Sequence, residues 1–244
     1  MDTDTTGMAE QADRKSDVKI GVTRWLIREI VGTLFTAALL FGCAGRLDWV
    51  MGWILVGVYA VWTGATAWAI IPTNPEMLAE RTGPKKGSKG WDLAIMSIVG
   101  VAELVKYVVA GLDVRWGWSP QIPLTLQLAG AVVAVLAQDV LLTWSMAANA
   151  FFSQIVRIQE ERGHTVATGG PYRYVRHPGY VASVLFSLAT PLMLGSLWAL
   201  IPSGLAALLF IMRTALEDRT LQEELPGYRE YAQKVRYRLL PGIW

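Results

Sequence analysis

The sequence predicts an all-α, polytopic integral membrane protein with about six transmembrane helices. Of its 244 residues, 53% are hydrophobic and only 17% are charged, whereas a soluble domain has about 25% charged residues. Eleven tryptophans add to this pattern, because their amphipathic rings favour the membrane interface. The net charge of +2 gives no reason to expect a nucleic-acid partner. The expected surroundings are therefore membrane lipids.

The apolar segments fix the predicted spans, since one crossing takes about 20 apolar residues. Four such segments cover about residues 25–45, 49–71, 91–112 and 122–152. The fourth is too long for a single crossing, so we expect its end to bend or to project into the cytoplasm. A further apolar block, residues 178–213, contains Pro191 and Gly195. These residues predict a hairpin of two helices that turns near Gly195–Ser196.

Lysine and arginine set the expected orientation, because they concentrate in cytoplasmic loops. They are dense near both ends of the chain, in loop 72–90 and after the fourth span, and sparse in the intervening loops. Both termini are therefore predicted to be cytoplasmic. The expected organisation is a disordered cytoplasmic tail over residues 1–19, transmembrane helices over 20–152, and a C-terminal region with the hairpin over 153–244. A short interfacial helix around Glu76–Arg81 is an option within loop 72–90.

Two predicted spans hold polar residues well inside them: Glu103 and Lys106 in the third, and Gln138 and Asp139 in the fourth. Ionisable groups in lipid are costly and are candidates for a functional role. Glu103 and Lys106 either pair with each other, with Asp139 meeting a partner on another helix, or they line a substrate cavity. The single cysteine, Cys43, excludes an internal disulfide and is expected to be a small buried residue.

One polar cluster, residues 164–180, follows the fourth span. Gly169-Gly170-Pro171 predicts a turn that allows close backbone approach to a ligand. Pro178 is suited to the first turn of the next helix, where free N–H groups could bind a carboxylate. Both histidines of the chain, His164 and His177, lie here, and two histidines with one distant cysteine do not predict a metal site.

A second cluster begins where the hairpin ends. Arg213 and Glu217 are four residues apart, so they lie on one helix face. They could form a surface ion pair, or each could contact a separate ligand. Because the two ends of a helical hairpin are close in space, both clusters are expected to build one cytoplasmic pocket.

Together the two clusters carry a family resemblance. The segment Arg176-His177-Pro178-Gly179-Tyr180 is preceded by Gly170-Pro171-Tyr172. Further on come Arg213, separated by three residues from the acidic pair Glu217-Asp218, then Tyr228-x-x-Tyr231 and Pro241. This order resembles the isoprenylcysteine carboxyl methyltransferase family over about residues 150–241.

The resemblance implies a methyltransferase that uses S-adenosylmethionine. It implies a cofactor pocket formed by His164, Thr165, Val166, Ala167, Tyr172, His177, Pro178, Gly179, Tyr180 and Glu217. It implies that Arg213 is the catalytic residue that faces a lipophilic small-molecule acceptor, for which a carboxylate is one option. Two positions depart from the family pattern: the acidic pair is Glu-Asp and not Glu-Glu, and Arg157 stands where eukaryotic members have Gln, with Gln159 two positions away.

Two other functions compete with this interpretation. Membrane sterol and steroid reductases, which use NADPH, have a similar His-Pro-x-Tyr element, but an acidic residue follows their tyrosine soon, and here Val181-Ala182-Ser183 follow. A non-catalytic transporter or scaffold could use Glu103, Lys106 and Asp139. Transporters place their polar site at the bilayer midplane, whereas the dense polar clusters of this chain are expected in the cytoplasm.

Overall fold

The computed structural model describes residues 3–244, with side chains from Ser16 onward, and this part of the chain is all α-helical. Its α-helices are α1 (Thr3–Ala44), α2 (Val50–Ile70), α3 (Pro75–Glu80), α4 (Gly90–Trp116), α5 (Leu124–Val135), α6 (Thr143–Ala147), α7 (Pro178–Leu194), α8 (Leu200–Glu224) and α9 (Tyr228–Lys234). The prediction of a disordered tail falls mainly on residues outside the described side chains and stays a prediction.

Five helical stretches among the described residues are long and apolar enough to cross a membrane. They are Ser16–Ala44, Val50–Ile70, Gly90–Trp116, Leu124–Ala147 and Leu200–Glu224. The sixth apolar helix, α7, has only 17 residues and is shorter than these. The all-helical, polytopic architecture is thus confirmed, while six complete crossings and the cytoplasmic position of the termini stay predictions.

The fourth predicted span is one continuous helix with an irregular centre. Between α5 and α6 the chain passes through a π-helix, Leu136–Leu142, and helical structure ends at Ala147. The bend expected at the end of this segment is observed: residues 148–152 turn, with Asn149 Oδ1 accepting a hydrogen bond from Phe151 N–H at 2.9 Å. This turn sends the chain back across the end of the bundle, where it forms one wall of the site.

Glycines allow the closest helix contacts in the bundle. A side-chain carbon on Gly111 of α4 would lie 2.7 Å from the Leu40 carbonyl oxygen of α1. One on Gly130 of α5 would lie 2.7 Å from the Met193 backbone nitrogen of α7. Small residues at such crossings are typical of membrane helices, whose association depends on close packing. These contacts hold α4 close to α1 and α7 close to α5.

The predicted helical hairpin is present. Helix α7 ends at Gly195, whose φ of 78° is a left-handed helix stop, and α8 begins at Leu200. Asp113, near the end of α4, holds the tip by accepting hydrogen bonds from the hydroxyls of Ser196 at 2.5 Å and Ser119 at 2.6 Å. The hairpin is therefore anchored at its tip, and its open end carries the polar clusters.

The intramembrane polar residues mostly find partners. Lys106 is fully buried and forms an ion pair with Glu103, which also accepts a hydrogen bond from Ser187 of α7 at 2.7 Å. The Oδ1 atom of Asp139 is buried in the π-helix and makes no hydrogen bond to any described residue. The predicted Glu103–Lys106 pair is thus observed, whereas the predicted partner of Asp139 is not. Cys43 is half-buried, not fully buried as expected.

The short helix α3 packs on the N-terminal half of α1. Met77 and Leu78 are fully buried in a cluster with Trp25 of α1. This corresponds to the interfacial helix considered for loop 72–90. Because α3 ends beside α1, the residue after it, Arg81, is directed into the bundle and is only 7% exposed.

Candidate active site

A cleft lies at the open end of the hairpin, between the segment 149–157, the segment 164–172, the start of α7 and the end of α8. The accessible space inside it is about 220 Å³, which is below the roughly 300–1,000 Å³ that is common for ligand sites. Met96, Leu142 and Phe210 from the apolar helices contribute to its lining. The cleft therefore joins a polar end of the bundle to an apolar floor.

Nine of the ten predicted cofactor-binding residues line this cleft, and so does Arg213. The nine are His164, Thr165, Val166, Ala167, Tyr172, His177, Gly179, Tyr180 and Glu217. The tenth, Pro178, does not line it but forms the buried first residue of α7, where a fixed φ suits a helix start. The structure thus brings the two polar clusters together around one cavity. Their binding of a cofactor stays a prediction.

The start of α7 leaves less free backbone than the sequence suggested. The N–H groups of Tyr180 and Val181 both donate to the His177 carbonyl, at 3.0 and 3.3 Å. They are therefore not free to bind a ligand carboxylate. Gly179 matters for another reason, since an added side-chain carbon would lie 2.8 Å from the Phe152 ring. A glycine is needed here because the wall formed by residues 149–157 packs against the helix start.

Asp218 is the centre of a buried polar cluster beneath the cleft. Its fully buried carboxylate accepts hydrogen bonds from Arg176 Nε at 2.7 Å, Arg238 Nε at 2.8 Å and the Tyr228 hydroxyl at 3.0 Å. His177 Nε2 lies 3.2 Å from the same carboxylate. Arg176 also donates from Nη1 to two backbone carbonyls at 2.8 Å. These side chains hold the walls together and have little capacity left for a ligand.

Glu217, the other member of the acidic pair, faces the cleft. Its carboxylate accepts a hydrogen bond from the Tyr180 hydroxyl. Adjacent residues of a helix project about 100° apart, which explains why Glu217 lines the cavity and Asp218 is turned into the protein. In the described part of the chain, Glu217 is the only carboxylate that lines the cleft. It is therefore the residue suited to accept from ligand hydroxyls or to neutralise a ligand ammonium.

Arg213 does not pair with Glu217, although they lie one helical turn apart. Its Nε and Nη2 atoms donate to the two carboxylate oxygens of Asp92, at 2.5 and 2.8 Å. Nη2 also donates to the Gln154 carbonyl at 2.6 Å, and the guanidinium carbon lies 5.1 Å from the centre of the Tyr180 ring. Only Nη1 makes no hydrogen bond within the described part of the chain. A ligand would thus meet this one nitrogen and not a two-nitrogen fork.

His164 is held at the rim of the cleft. Its ring stacks on Phe151, with centroids 4.6 Å apart, and its Nδ1 accepts a hydrogen bond from the Gln159 N–H at 3.3 Å. Burial and, after it, the positive charges of Arg162 and Arg157 together lower the pKa of His164 to about 4. The imidazole is therefore neutral at physiological pH. Among the described residues, no group of three His, Cys, Asp or Glu side chains is arranged to hold a metal ion.

The structure shows where Arg157, which stands at the position of the family's glutamine, and the nearby Gln159 lie. Arg157 lines the cleft and donates to the carboxylates of Glu80 and Glu161, at 2.7 and 2.6 Å. Gln159 is buried behind the wall, where its Nε2 donates to the Phe151 carbonyl at 2.7 Å. Gln159 does not line the cleft and so does not replace the glutamine of the family pattern.

Two residues of the site were missed by sequence reasoning. Asp92 lies in the first turn of α4, and a lone acid at the start of an apolar span was the available signal for it. Its carboxylate also accepts the Val156 N–H at 2.7 Å, so it fixes both Arg213 and the wall of the cleft. Arg81 lines the cleft as well; the sequence indicated only that it belonged to a basic loop.

The comparisons with known proteins concern the same part of the chain. Residues 130–223 match the model of the isoprenylcysteine carboxyl methyltransferase family. A protein-S-isoprenylcysteine O-methyltransferase B of Arabidopsis thaliana is 27% identical over 58% of this chain and 70% of its own length. A probable protein-S-isoprenylcysteine O-methyltransferase of Oryza sativa subsp. indica is 28% identical over 43% of this chain and 56% of its own length.

A relative with a different name also matches. The cobalt-zinc-cadmium resistance protein CzcN of Cupriavidus metallidurans is 30% identical over 54% of this chain and 58% of its own length. Methyltransferases of the matched family take the methyl group from S-adenosylmethionine. The matched segment contains every residue predicted to bind the cofactor, together with Arg213. Residues 130–223 of this integral membrane protein therefore resemble the isoprenylcysteine carboxyl methyltransferase family, and the resemblance coincides with the cleft.

Proposed function

We propose that this protein is a membrane-embedded methyltransferase that transfers a methyl group from S-adenosylmethionine to the carboxylate of a lipophilic acceptor. The observation that carries the proposal is that nine of the predicted cofactor-binding residues and Arg213 line the same cleft. The family match over residues 130–223 supports the choice of reaction. The apolar floor formed by Met96, Leu142 and Phe210 supports a lipophilic acceptor.

The residues of the cleft suit S-adenosylmethionine, which carries an adenosine, an ammonium, a carboxylate and a sulfonium. Tyr172 and Tyr180 offer aromatic faces, and Glu217 offers a carboxylate for ribose hydroxyls or the ammonium. Gly179 lets the start of α7 pack directly against Phe152 in the wall of the cleft.

When bound, S-adenosylmethionine supplies an electrophilic methyl group, so that a carboxylate oxygen forms a bond to the methyl carbon as the carbon–sulfur bond breaks, giving an ester and a neutral thioether. No proton moves, because a carboxylate is already ionised at neutral pH. The protein therefore needs to align the groups and to exclude water. Arg213, through Nη1, would orient the acceptor carboxylate, with Asp92 fixing the guanidinium. His164 is neutral and needs no part in proton transfer.

Cofactor binding tests the proposal directly. Purified protein in detergent should bind S-adenosylmethionine or S-adenosylhomocysteine at micromolar concentration by calorimetry, and NADPH far more weakly. Glu217→Gln should weaken this binding, whereas Glu223→Gln, an exposed change one turn and a half further along α8, should not. Tighter binding of NADPH than of either methyl-transfer ligand would end the methyltransferase proposal and favour a reductase.

Turnover then tests the acceptor. Release of S-adenosylhomocysteine should be measured with a panel of lipophilic acids, thiols and amines, each with a similar apolar tail. The proposal expects release with the acids, and with acids the ester should be found by mass spectrometry. Turnover confined to amines or thiols would keep the methyltransferase activity and contradict the carboxylate acceptor.

A further inference from the structure

Not every arginine that lines the cleft has a carboxylate partner. Four arginines line it: Arg81, Arg157, Arg176 and Arg213. Three of them have a carboxylate partner within 3.1 Å, namely Glu80 and Glu161 for Arg157, Asp218 for Arg176 and Asp92 for Arg213. Among the described residues, Arg81 makes no ion pair and its side chain donates no hydrogen bond. Of the described cations that line the cavity, Arg81 is therefore the one without a compensating charge.

The position of Arg81 is well defined. The residue is 7% exposed, its Nε is fully buried without a hydrogen-bond partner, and its guanidinium carbon lies 5.4 Å from the centre of the Phe152 ring. Its backbone carbonyl accepts a hydrogen bond from Arg28 of α1. The acid that acts on it electrostatically, Glu29, is already paired with Arg28 at 2.5 Å. Packing, and not an ion pair, holds this side chain in the cleft.

The electrostatic surroundings of Arg81 are positive. Burial and, after it, the charges of Arg28 and Arg213 together lower its pKa to about 10, while the charge of Glu29 acts in the opposite direction. The group is still protonated at neutral pH. A buried and unpaired cation is costly, and such groups are normally paired in proteins. An anion brought by a ligand would supply the partner that the protein itself does not provide.

We propose that Arg81 binds a carboxylate of a ligand in the cleft, a role that rests on the proposed function. Two carboxylates are available in that reaction, the amino-acid carboxylate of the methyl donor and the carboxylate of the acceptor. The planar guanidinium of Arg81 can donate two parallel hydrogen bonds to either, whereas Arg213 has only Nη1 left. Arg81 is thus the residue of the cleft that can bind a carboxylate through a two-nitrogen fork.

The first arm of the test concerns the donor carboxylate. Calorimetry compares S-adenosylhomocysteine with 5′-methylthioadenosine, which lacks the amino-acid part, on the parent, Arg81→Gln, Arg81→Lys and the exposed control Arg219→Gln. If Arg81 binds the donor, Arg81→Gln should lose about tenfold or more in affinity for S-adenosylhomocysteine and little for methylthioadenosine. Arg81→Lys should keep part of the affinity, and the control should match the parent.

The second arm concerns the acceptor carboxylate. Protein saturated with S-adenosylhomocysteine is titrated with a long-chain fatty acid and with its primary amide. If Arg81 binds the acceptor, Arg81→Gln should lose about tenfold or more in affinity for the acid while its affinity for the amide is unchanged. The melting temperature of each variant, measured without ligand, shows whether it is folded.

The outcomes separate this inference from the proposed function. A tenfold loss in either arm supports the role of Arg81 and identifies the carboxylate. If folded Arg81→Gln binds S-adenosylhomocysteine and the fatty acid like the parent, the inference is wrong while the methyltransferase proposal stands. If the parent binds no S-adenosylhomocysteine, the proposed function fails. The role of Arg81 is then tested by titrating the parent with the fatty acid and with its amide in the absence of cofactor. Equal affinity for the two would overturn that role.

Discussion

Arg213 of α8 and Asp92 of α4 form a buried, two-nitrogen ion pair between residues 121 positions apart in the chain. The pair holds the guanidinium beside the Tyr180 ring and leaves Nη1 open. It also ties the wall of the cleft, because the same carboxylate accepts the Val156 N–H. Arg213 is therefore oriented by a helix that the family match does not include.

The Asp92 carboxylate should be needed for both stability and turnover. Asp92→Asn leaves a buried guanidinium without its counter-charge, and removing one partner of such a pair costs about 3–5 kcal/mol. The double variant Asp92→Asn/Arg213→Gln should recover much of the melting temperature but no methyl transfer. Asp48→Asn, which breaks an exposed pair with Arg46, is the control and should melt like the parent. If Asp92→Asn has the melting temperature and the turnover of the parent, Asp92 has no role in the site.

Substitutions of Arg213 and of Glu217 should affect different steps of the reaction. Glu217→Gln should weaken cofactor binding, whereas Arg213→Lys should leave it nearly unchanged and lower turnover or raise the acceptor's Michaelis constant. Arg213→Lys keeps the charge but loses the planar fork that Asp92 holds. Calorimetry and the S-adenosylhomocysteine release assay measure the two effects. If both variants bind and turn over like the parent, the site is elsewhere.

Asp218 should act on structure and not on ligands. Asp218→Asn weakens the counter-charge of Arg176 and Arg238 in a buried cluster, so we expect a lower melting temperature and faster hydrogen exchange over residues 228–238. Glu223→Gln on the same helix breaks only an exposed pair with Arg219 and serves as the control. Unchanged exchange in this segment would show that Asp218 is dispensable.

His164 should make stability depend on acid pH. Its pKa is about 4 in the folded protein and about 6.5 in an unfolded chain, so the unfolded state binds more protons between these values. Stability is therefore fully present above about pH 6.5 and falls as the pH is lowered towards 4. The melting temperature of the parent should drop over this range more steeply than that of His164→Gln. An imidazole resonance of His164 titrating near pH 6.5 would contradict the shift.

The predicted orientation can be tested by labelling. In a Cys43→Ser background, cysteines at the exposed positions Lys86, Glu160 and Lys234 should react from the same side of the membrane. A cysteine at Gln121, in the loop before α5, should react from the other side. Finding positions 160 and 234 on opposite sides would refute the six-span arrangement.

The bundle and the place of the site follow from the sequence because both depend on short-range patterns. Apolar length predicts the helices, and Gly195 predicts the hairpin turn, which brings residues 164–180 near Glu217. The partners within the site do not follow in this way. The spacing of Arg213 and Glu217 favours a local pair, but Asp92 competes for the guanidinium from another helix. That competition is decided by how α4 packs against α8, which no local pattern encodes.

Residues 237 and 238 support the segment that leads into the helical hairpin. The N–H groups of Arg176 and His177 donate to the carbonyls of Tyr237 and Arg238, at 2.9 and 3.0 Å, and Arg238 reaches Asp218. During synthesis, helices α1 to α8 are made before Arg238 leaves the ribosome. Until then Asp218 has only one of its two arginine partners, Arg176, and the start of the hairpin lacks these two backbone hydrogen bonds. The polar cluster around Asp218 is therefore complete only after the apolar helices have been made.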